Sequence, residues 1–156
     1  MKIICKRCGD DKSVRYGYSK RKNGIKKLII DEMYSYVGSK SNRCYIWTGL
    51  VLYDNQKYPV FHISKTKGIN DLDEFVRDLT NFDIVYSDKN PVYKEYYGKR
   101  NISQKGIETN LVESLNSQLR HYCSQLIRRT KTYAKCMVSL NANLIQILFD
   151  KLLKST

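Results

Sequence analysis

Leu28-Ile29-Ile30-Asp31-Glu32-Met33-Tyr34-Ser35-Tyr36-Val37 alternates in polarity, is rich in Ile, Tyr and Val, and carries an acid in its middle. Alternation with β-branched and aromatic residues predicts a half-buried strand. An aspartate inside such a run is out of place, because strands favour apolar residues and Asp is almost never buried without a partner. Downstream, Gly38-Ser39-Lys40-Ser41-Asn42 supplies turn chemistry, Cys44 to Tyr53 reads as a second strand, Asp54-Asn55-Gln56 as a further turn, and Tyr58 to Ile63 as a third strand. Three antiparallel strands in a meander are expected.

Helical spacing begins at Leu72, Phe75, Val76 and Leu79, with Asn70 or Asp71 as the expected N-cap. Phe82 to Tyr86 is a short buried strand. Ser87-Asp88-Lys89-Asn90-Pro91 is a loop opening onto a short helix over Val92 to Tyr97, and Ile102 is expected in one more short strand. From Asn110 the apolar residues Val112, Leu115, Leu119, Tyr122 and Leu126 predict a long amphipathic helix capped at Thr109-Asn110. A last helix is expected from Lys135 to Leu153, apolar at Val138, Leu140, Leu144, Ile147, Leu148 and Leu152. The fold class is therefore α/β: a mixed sheet of three antiparallel strands followed by parallel strands, with flanking helices. This is the element order of ribonuclease-H-like, retroviral-integrase-like domains.

The chain of 156 residues, 42% of them hydrophobic and only 2 of them Pro, can bury one core. Its 28 Lys and Arg against 15 Asp and Glu give a net charge of +13, which attracts polyanions before any specific contact forms. The excess is uneven. Residues 1–27 hold ten Lys or Arg against Asp10 and Asp11, and Ser114 to Lys135 has no acid but carries Arg120, Arg128, Arg129, Lys131 and Lys135 with Tyr122 and Tyr133 among them. Either stretch alone could be a solvated face; both together favour nucleic acid. No run is long and apolar enough to span a membrane and no signal peptide or lipidation motif occurs, so a cytoplasmic, DNA-associated protein without a membrane partner is expected. Five Cys without a disulfide-like spacing suggest reduced thiols, with Cys44, Cys123 and Cys136 in the core.

Asp31 falls within the first strand, Asp88 just past the fourth, and Glu113 in the first turns of the long helix. Displacement at a phosphodiester needs an activated oxygen nucleophile, a stabilised leaving oxygen and screening of charge. Two Mg²⁺ or Mn²⁺ ions supply all three, and such ions favour carboxylate ligands. Glu113, Asn116 and Arg120 share one helix face. Glu113 has an alternative explanation as an acid favoured by the helix macrodipole, and Asp88 one as a turn residue. Asp31 has none.

Asp31 to Lys40 resembles the first catalytic block of transposases of the insertion sequence one family. Val85-Tyr86-Ser87-Asp88, with Pro91 and Tyr93, is similar to the second block. Val112-Glu113-Ser114-Leu115-Asn116-Ser117-Gln118-Leu119-Arg120, followed by Leu126, Arg128, Arg129 and Thr130, resembles the third. The resemblance implies a DDE transposase that cleaves strands at insertion-sequence ends and transfers them to target DNA. Asp31, Asp88 and Glu113 would be its catalytic, metal-binding acids, with Asn116 and Arg120 as supporting or DNA-contacting residues; Arg128, Arg129 and Lys131 of the acid-free basic stretch are further DNA-contacting candidates. It also implies a homo-oligomer when active.

Cys5-Lys6-Arg7-Cys8 resembles the start of the zinc module of these transposases, but no second Cys-x-x-Cys follows, so zinc is not expected. Residues 1–27 read as a basic arm, the remnant of that module, and 28–156 as the catalytic domain. Two further readings stay open: a shortened, catalytically silent DNA-binding or regulatory form, and an RNase-H-like nuclease.

Overall fold

The computed structural model of the chain describes residues 25–79, 81–103, 106–126 and 133–153. Strands β1 (Lys27–Val37), β2 (Ser39–Tyr53) and β3 (Gln56–Ser64) form the antiparallel meander, followed by helix α1 (Ile69–Val76), strand β4 (Ile84–Ser87), helix α2 (Pro91–Tyr97), strand β5 (Asn101–Ser103), and helices α3 (Ile107–Tyr122) and α4 (Met137–Ile147). A wider π-helical turn, Leu148–Leu153, continues α4. The sheet order is β3-β2-β1-β4-β5, with β4 parallel to β1 and β5 parallel to β4. This is the mixed α/β architecture expected from the sequence.

Alternation along β1 and β2 sorts side chains into two cores. Ile29, Met33, Cys44, Ile46 and Leu50 pack with Val112, Leu115 and Leu119 of α3 and with Leu140, Leu144 and Leu148 from the C-terminal helix. Leu28, Ile30, Trp47 and Val51 pack on the other face against Leu72 and Phe75 of α1, with Val85 of β4 and Tyr93 and Tyr97 of α2. The sheet is thus the middle of three layers, and β1 is its central strand.

Several local expectations are corrected. The turn after β1 is tight: Gly38 takes φ +71, pairing shifts register between Tyr36 and Val37, and Ser39–Asn42 lengthens β2 instead of forming a loop. The β2–β3 connection is a two-residue turn in which Asp54 and Asn55 both have positive φ, the twist that matches paired strands. Helix α1 begins at Ile69 with Gly68 as N-cap, so Asp71 is its third residue and accepts from the Gly68 backbone N–H at 2.9 Å. Helix α3 begins at Ile107 after Gly106, and Thr109 caps from inside by accepting from the Gly106 N–H at 3.0 Å. It ends at Tyr122, which is exposed, and Leu126 belongs to the following 3-10 turn. On α4 the buried stripe is Leu140, Leu144 and Leu148, whereas Val138 sits two residues round from Leu140 and is exposed. Cys44 and Cys123 are buried free thiols; Cys136 is exposed, as the residue before α4.

Candidate active site

Strand β1 pairs with β4 only from Lys27 to Ile29, where Ile29 lies beside Tyr86. Beyond that point β4 reaches Ser87 and stops, while β1 runs on through Asp31 and Glu32. The carboxyl end of a parallel strand pair thereby opens a crevice, the usual place for a site in an α/β sheet. Asp88 leaves β4 on one side of it, and the two acids of β1 stand on the other. Oxygen atoms of Asp31, Glu32 and Asp88 all lie within 4.8 Å of one another.

Consecutive strand residues point to opposite faces, so Asp31 and Glu32 meet different layers. On the α3 side, the Asn116 side-chain amide donates to Asp31 Oδ2 at 2.8 Å, and the Thr48 hydroxyl donates to Asn116 Oδ1 at 2.7 Å. Thr48 and Asn116 are buried. A polar pair enclosed in an apolar layer is tolerated because each group is satisfied, and it fixes the Asp31 carboxylate from below. Burial pushes the Asp31 carboxyl up to about 6, and the charges of Glu32 and Asp88 add to this, against the hydrogen bonds that favour its ionised form.

On the α2 side, Asn90 donates through its side chain to Glu32 Oε1 at 2.8 Å and through its backbone N–H to Asp88 Oδ1 at 2.9 Å. Its own Oδ1 accepts from the Val92 N–H at 3.2 Å, the N-cap of α2, with Pro91 at the first helical position. The buried Tyr93 donates its hydroxyl to Glu32 Oε2; burial first, and then the Glu32 charge, push this phenol well up from its ordinary value, so it stays a donor. Lys67 Nζ stands 3.9 Å from Glu32 Oε1. One asparagine therefore ties together an acid of β1, an acid after β4 and the start of α2.

Glu113 is exposed on α3 and is not among the three carboxylates that meet at the crevice. It lies three residues before Asn116, so the two side chains emerge one helical turn apart on the same face. Because α3 begins at Ile107, Glu113 is in its second turn, beyond the reach of the terminal macrodipole that offered a structural excuse for it. Arg120, half-buried, follows one turn after Asn116. Arg128, Arg129 and Lys131 lie outside the described residues, as do Cys5 and Cys8 and most of the 1–27 arm. Sequence reasoning singled out Asp31 and Asp88 but passed over Glu32 and Asn90. The signal for Glu32 was a second acid in the same strand; for Asn90 it was an Asn-Pro pair at a helix start, read only as turn chemistry.

The family model for IS1 transposase matches residues 26–152, from the start of β1 to the end of the C-terminal helix. The chain belongs to this transposase family. Among curated proteins none matches it. Two of the solved structures that share its fold are as follows. One is an intasome of simian T-cell lymphotropic virus in complex with PP2A regulatory subunit B56 gamma: 13% identity, 81% of this chain and 48% of that one, TM-score 0.56. The other is the HTLV-2 integrase catalytic core domain in complex with magnesium, in trimeric form: 10% identity, 81% of this chain and 85% of that one, TM-score 0.50. The transposase-family chain thus has the RNase-H-like fold of integrase cores, and it spans about half the length of the first of these chains. No helix among the described residues is long and apolar enough to cross a membrane.

Proposed function

We propose that the chain is a DDE polynucleotidyl transferase that cleaves DNA strands at insertion-sequence ends and transfers the resulting 3′-hydroxyl to target DNA, with Asp31, Asp88 and Glu113 as its catalytic acids. The observation that carries this reading is the crevice beyond β4, where Asp31 and Asp88 converge and Asn116, one turn from Glu113, holds Asp31 from the helix side. The donor set fits a hard divalent cation. It is made of carboxylate oxygens, and Asp31 is held above its ordinary range by burial and by its acidic neighbours, a repulsion that a cation would relieve.

Asp31, Asp88 and Glu113 would hold two Mg²⁺ or Mn²⁺ ions, which supply activation of the attacking oxygen and screening of the phosphate charge. The chain's own residues do the placing. Asn116 keeps the Asp31 carboxylate aimed into the crevice, and Asn90 keeps Asp88 at its rim. Glu32, with Asn90 and Tyr93 already donating to its two oxygens, acts through the position of Asn90. Arg120 and the basic residues Arg128, Arg129 and Lys131 are proposed to contact DNA phosphates, and the active form is proposed to be a homo-oligomer acting on DNA inside the cell.

A strand-cleavage and strand-transfer assay on labelled insertion-sequence ends with Mg²⁺ or Mn²⁺ tests the assignment. Asp31→Asn, Asp88→Asn and Glu113→Gln are each expected to lower the rate by at least about a thousandfold, the scale of losing a charge-stabilising group from a reacting centre. Glu32→Gln is expected to lower it by about tenfold. DNA binding with no metal-dependent product in the unaltered chain would instead favour a catalytically silent, DNA-binding role.

A further inference from the structure

The β1–β2 hairpin runs on past the acid cluster, and its far part is not covered by α1 and α2. Leu28, Ile30 and Trp47 of one face are sealed in the core, but Tyr34, Tyr36, Arg43 and Tyr45 are outside it. These four share the face that carries Glu32. Glu32, Tyr34 and Tyr36 alternate along β1, Tyr45 lies directly opposite Tyr34, and Arg43 directly opposite Tyr36. Arg43 is exposed, with its guanidinium 5.0 Å from the centre of the Tyr34 ring and interacting with the Tyr36 and Tyr45 hydroxyls. Tyr34 and Tyr36 meet edge to face at 6.0 Å, and Tyr133, from the connection before α4, meets Tyr36 at 5.6 Å.

The chemistry of this row points to what could lie on it. The rings are half-buried and fix one another edge to face, with the Arg43 guanidinium lying over Tyr34. Arg43 within the row and exposed Lys40 at the hairpin tip are positive, and at the other end Glu32, on the same face, faces Lys67 at 3.9 Å. Aromatic faces interleaved with cations match an unpaired nucleic-acid strand, whose bases stack while its phosphates are neutralised. A duplex offers its stacked bases to no such surface. From Tyr34 to Tyr36 the rings of β1 extend by about 7 Å at the rise of a strand, enough for one or two successive bases.

We propose that this face of the β1–β2 hairpin is a track for single-stranded DNA, on which unpaired bases next to the reacting phosphodiester stack on Tyr34 and Tyr36 while Arg43 contacts their phosphates. The inference rests on the acid cluster being the reacting centre, since that is what places the track beside the scissile strand. It assigns to this transposase-family chain a preference for ends that are frayed or melted.

The test is binding of the full chain to a fluorescein-labelled oligothymidine and to a blunt duplex of equal length, in EDTA, by fluorescence anisotropy. Tyr34→Leu and Tyr36→Leu are expected to weaken oligothymidine binding by on the order of 5- to 100-fold each, with duplex binding changed less than about twofold. Tyr36→Phe should match the unaltered chain, and Arg43→Met should weaken oligothymidine binding even if a tyrosine variant proves too unstable to use. Equal losses for single strand and duplex, or no loss in variants that melt normally, would overturn the track. Because EDTA excludes cleavage, these outcomes are independent of the catalytic assignment. A chain that binds through the tyrosines but never cleaves would overturn the catalytic reading alone, and one that cleaves but binds normally without them would overturn the track alone.

Discussion

Asn116 and Asn90 matter here because the side-chain amide of each donates to an acid of β1. Asn116 links the buried Thr48 hydroxyl to Asp31, so replacing it with Ala strips a donor from Asp31 and the nearer of the two acceptors of Thr48, leaving it only the Asp31 backbone carbonyl at 3.2 Å. Asn116→Ala is therefore expected to cost about 1 to 3 kcal/mol of stability by urea denaturation in EDTA, the range for unsatisfied buried polar groups. Isothermal titration should also show Mn²⁺ binding about 10- to 100-fold more weakly, as for the loss of a group that orients a ligand. Stability lost with unchanged Mn²⁺ affinity would reduce Asn116 to a packing residue. Asp31 was legible as a functional candidate because no local structural role explains an acid inside an apolar strand. Glu32 was not, since the residues that hold it, Asn90 and Tyr93, lie 58 and 61 positions away in sequence. Periodicity cannot report such a pairing.

The strands were the readable elements, because alternation survives in a half-buried sheet whatever its neighbours are. Helix starts were read late for one physical reason. Gly68 and Gly106 are the N-caps of α1 and α3, and a glycine cap has no side chain to announce it. The sequence suggests Asn70 or Asp71, and Thr109-Asn110, as the caps, whereas Asp71 and Thr109 act from the third helical position. That offset is consequential, because it moves Glu113 out of the first turn. The close contact between β2 and α1 offers a test at this scale. A Cβ on Gly49 would come within 3.1 Å of Val60 and 3.2 Å of Leu28 and Phe75. Gly49→Ala is expected to destabilise the fold by about 1 to 2 kcal/mol through overpacking, seen as a lower urea midpoint with an unchanged slope. A gain in stability would mean that α1 shifts on the sheet more freely than a close-packed layer should.

Across the whole molecule, one termination organises the chemistry. Strand β4 ends at Ser87 while β1 continues, and the three layers bring α3 to one side of the opening and α2 to the other. The net charge of +13 makes the chain as a whole cationic, whereas the crevice itself is acidic. That combination can draw in a polyanion over long range and hold its reacting phosphate against cations at close range. The element order of this architecture was visible in the sequence, whereas the convergence of three acids at the crevice depends on twist and layer packing, which no single segment encodes. The most direct measurement is a crystal structure grown with Mn²⁺, with the ions located by anomalous scattering. The account predicts Mn²⁺ ligated by Asp31 and Asp88, with the Glu113 carboxylate completing the set from α3. Mn²⁺ held by Asp31, Glu32 and Asp88 with Glu113 turned to solvent, or no Mn²⁺ at the crevice, would contradict it.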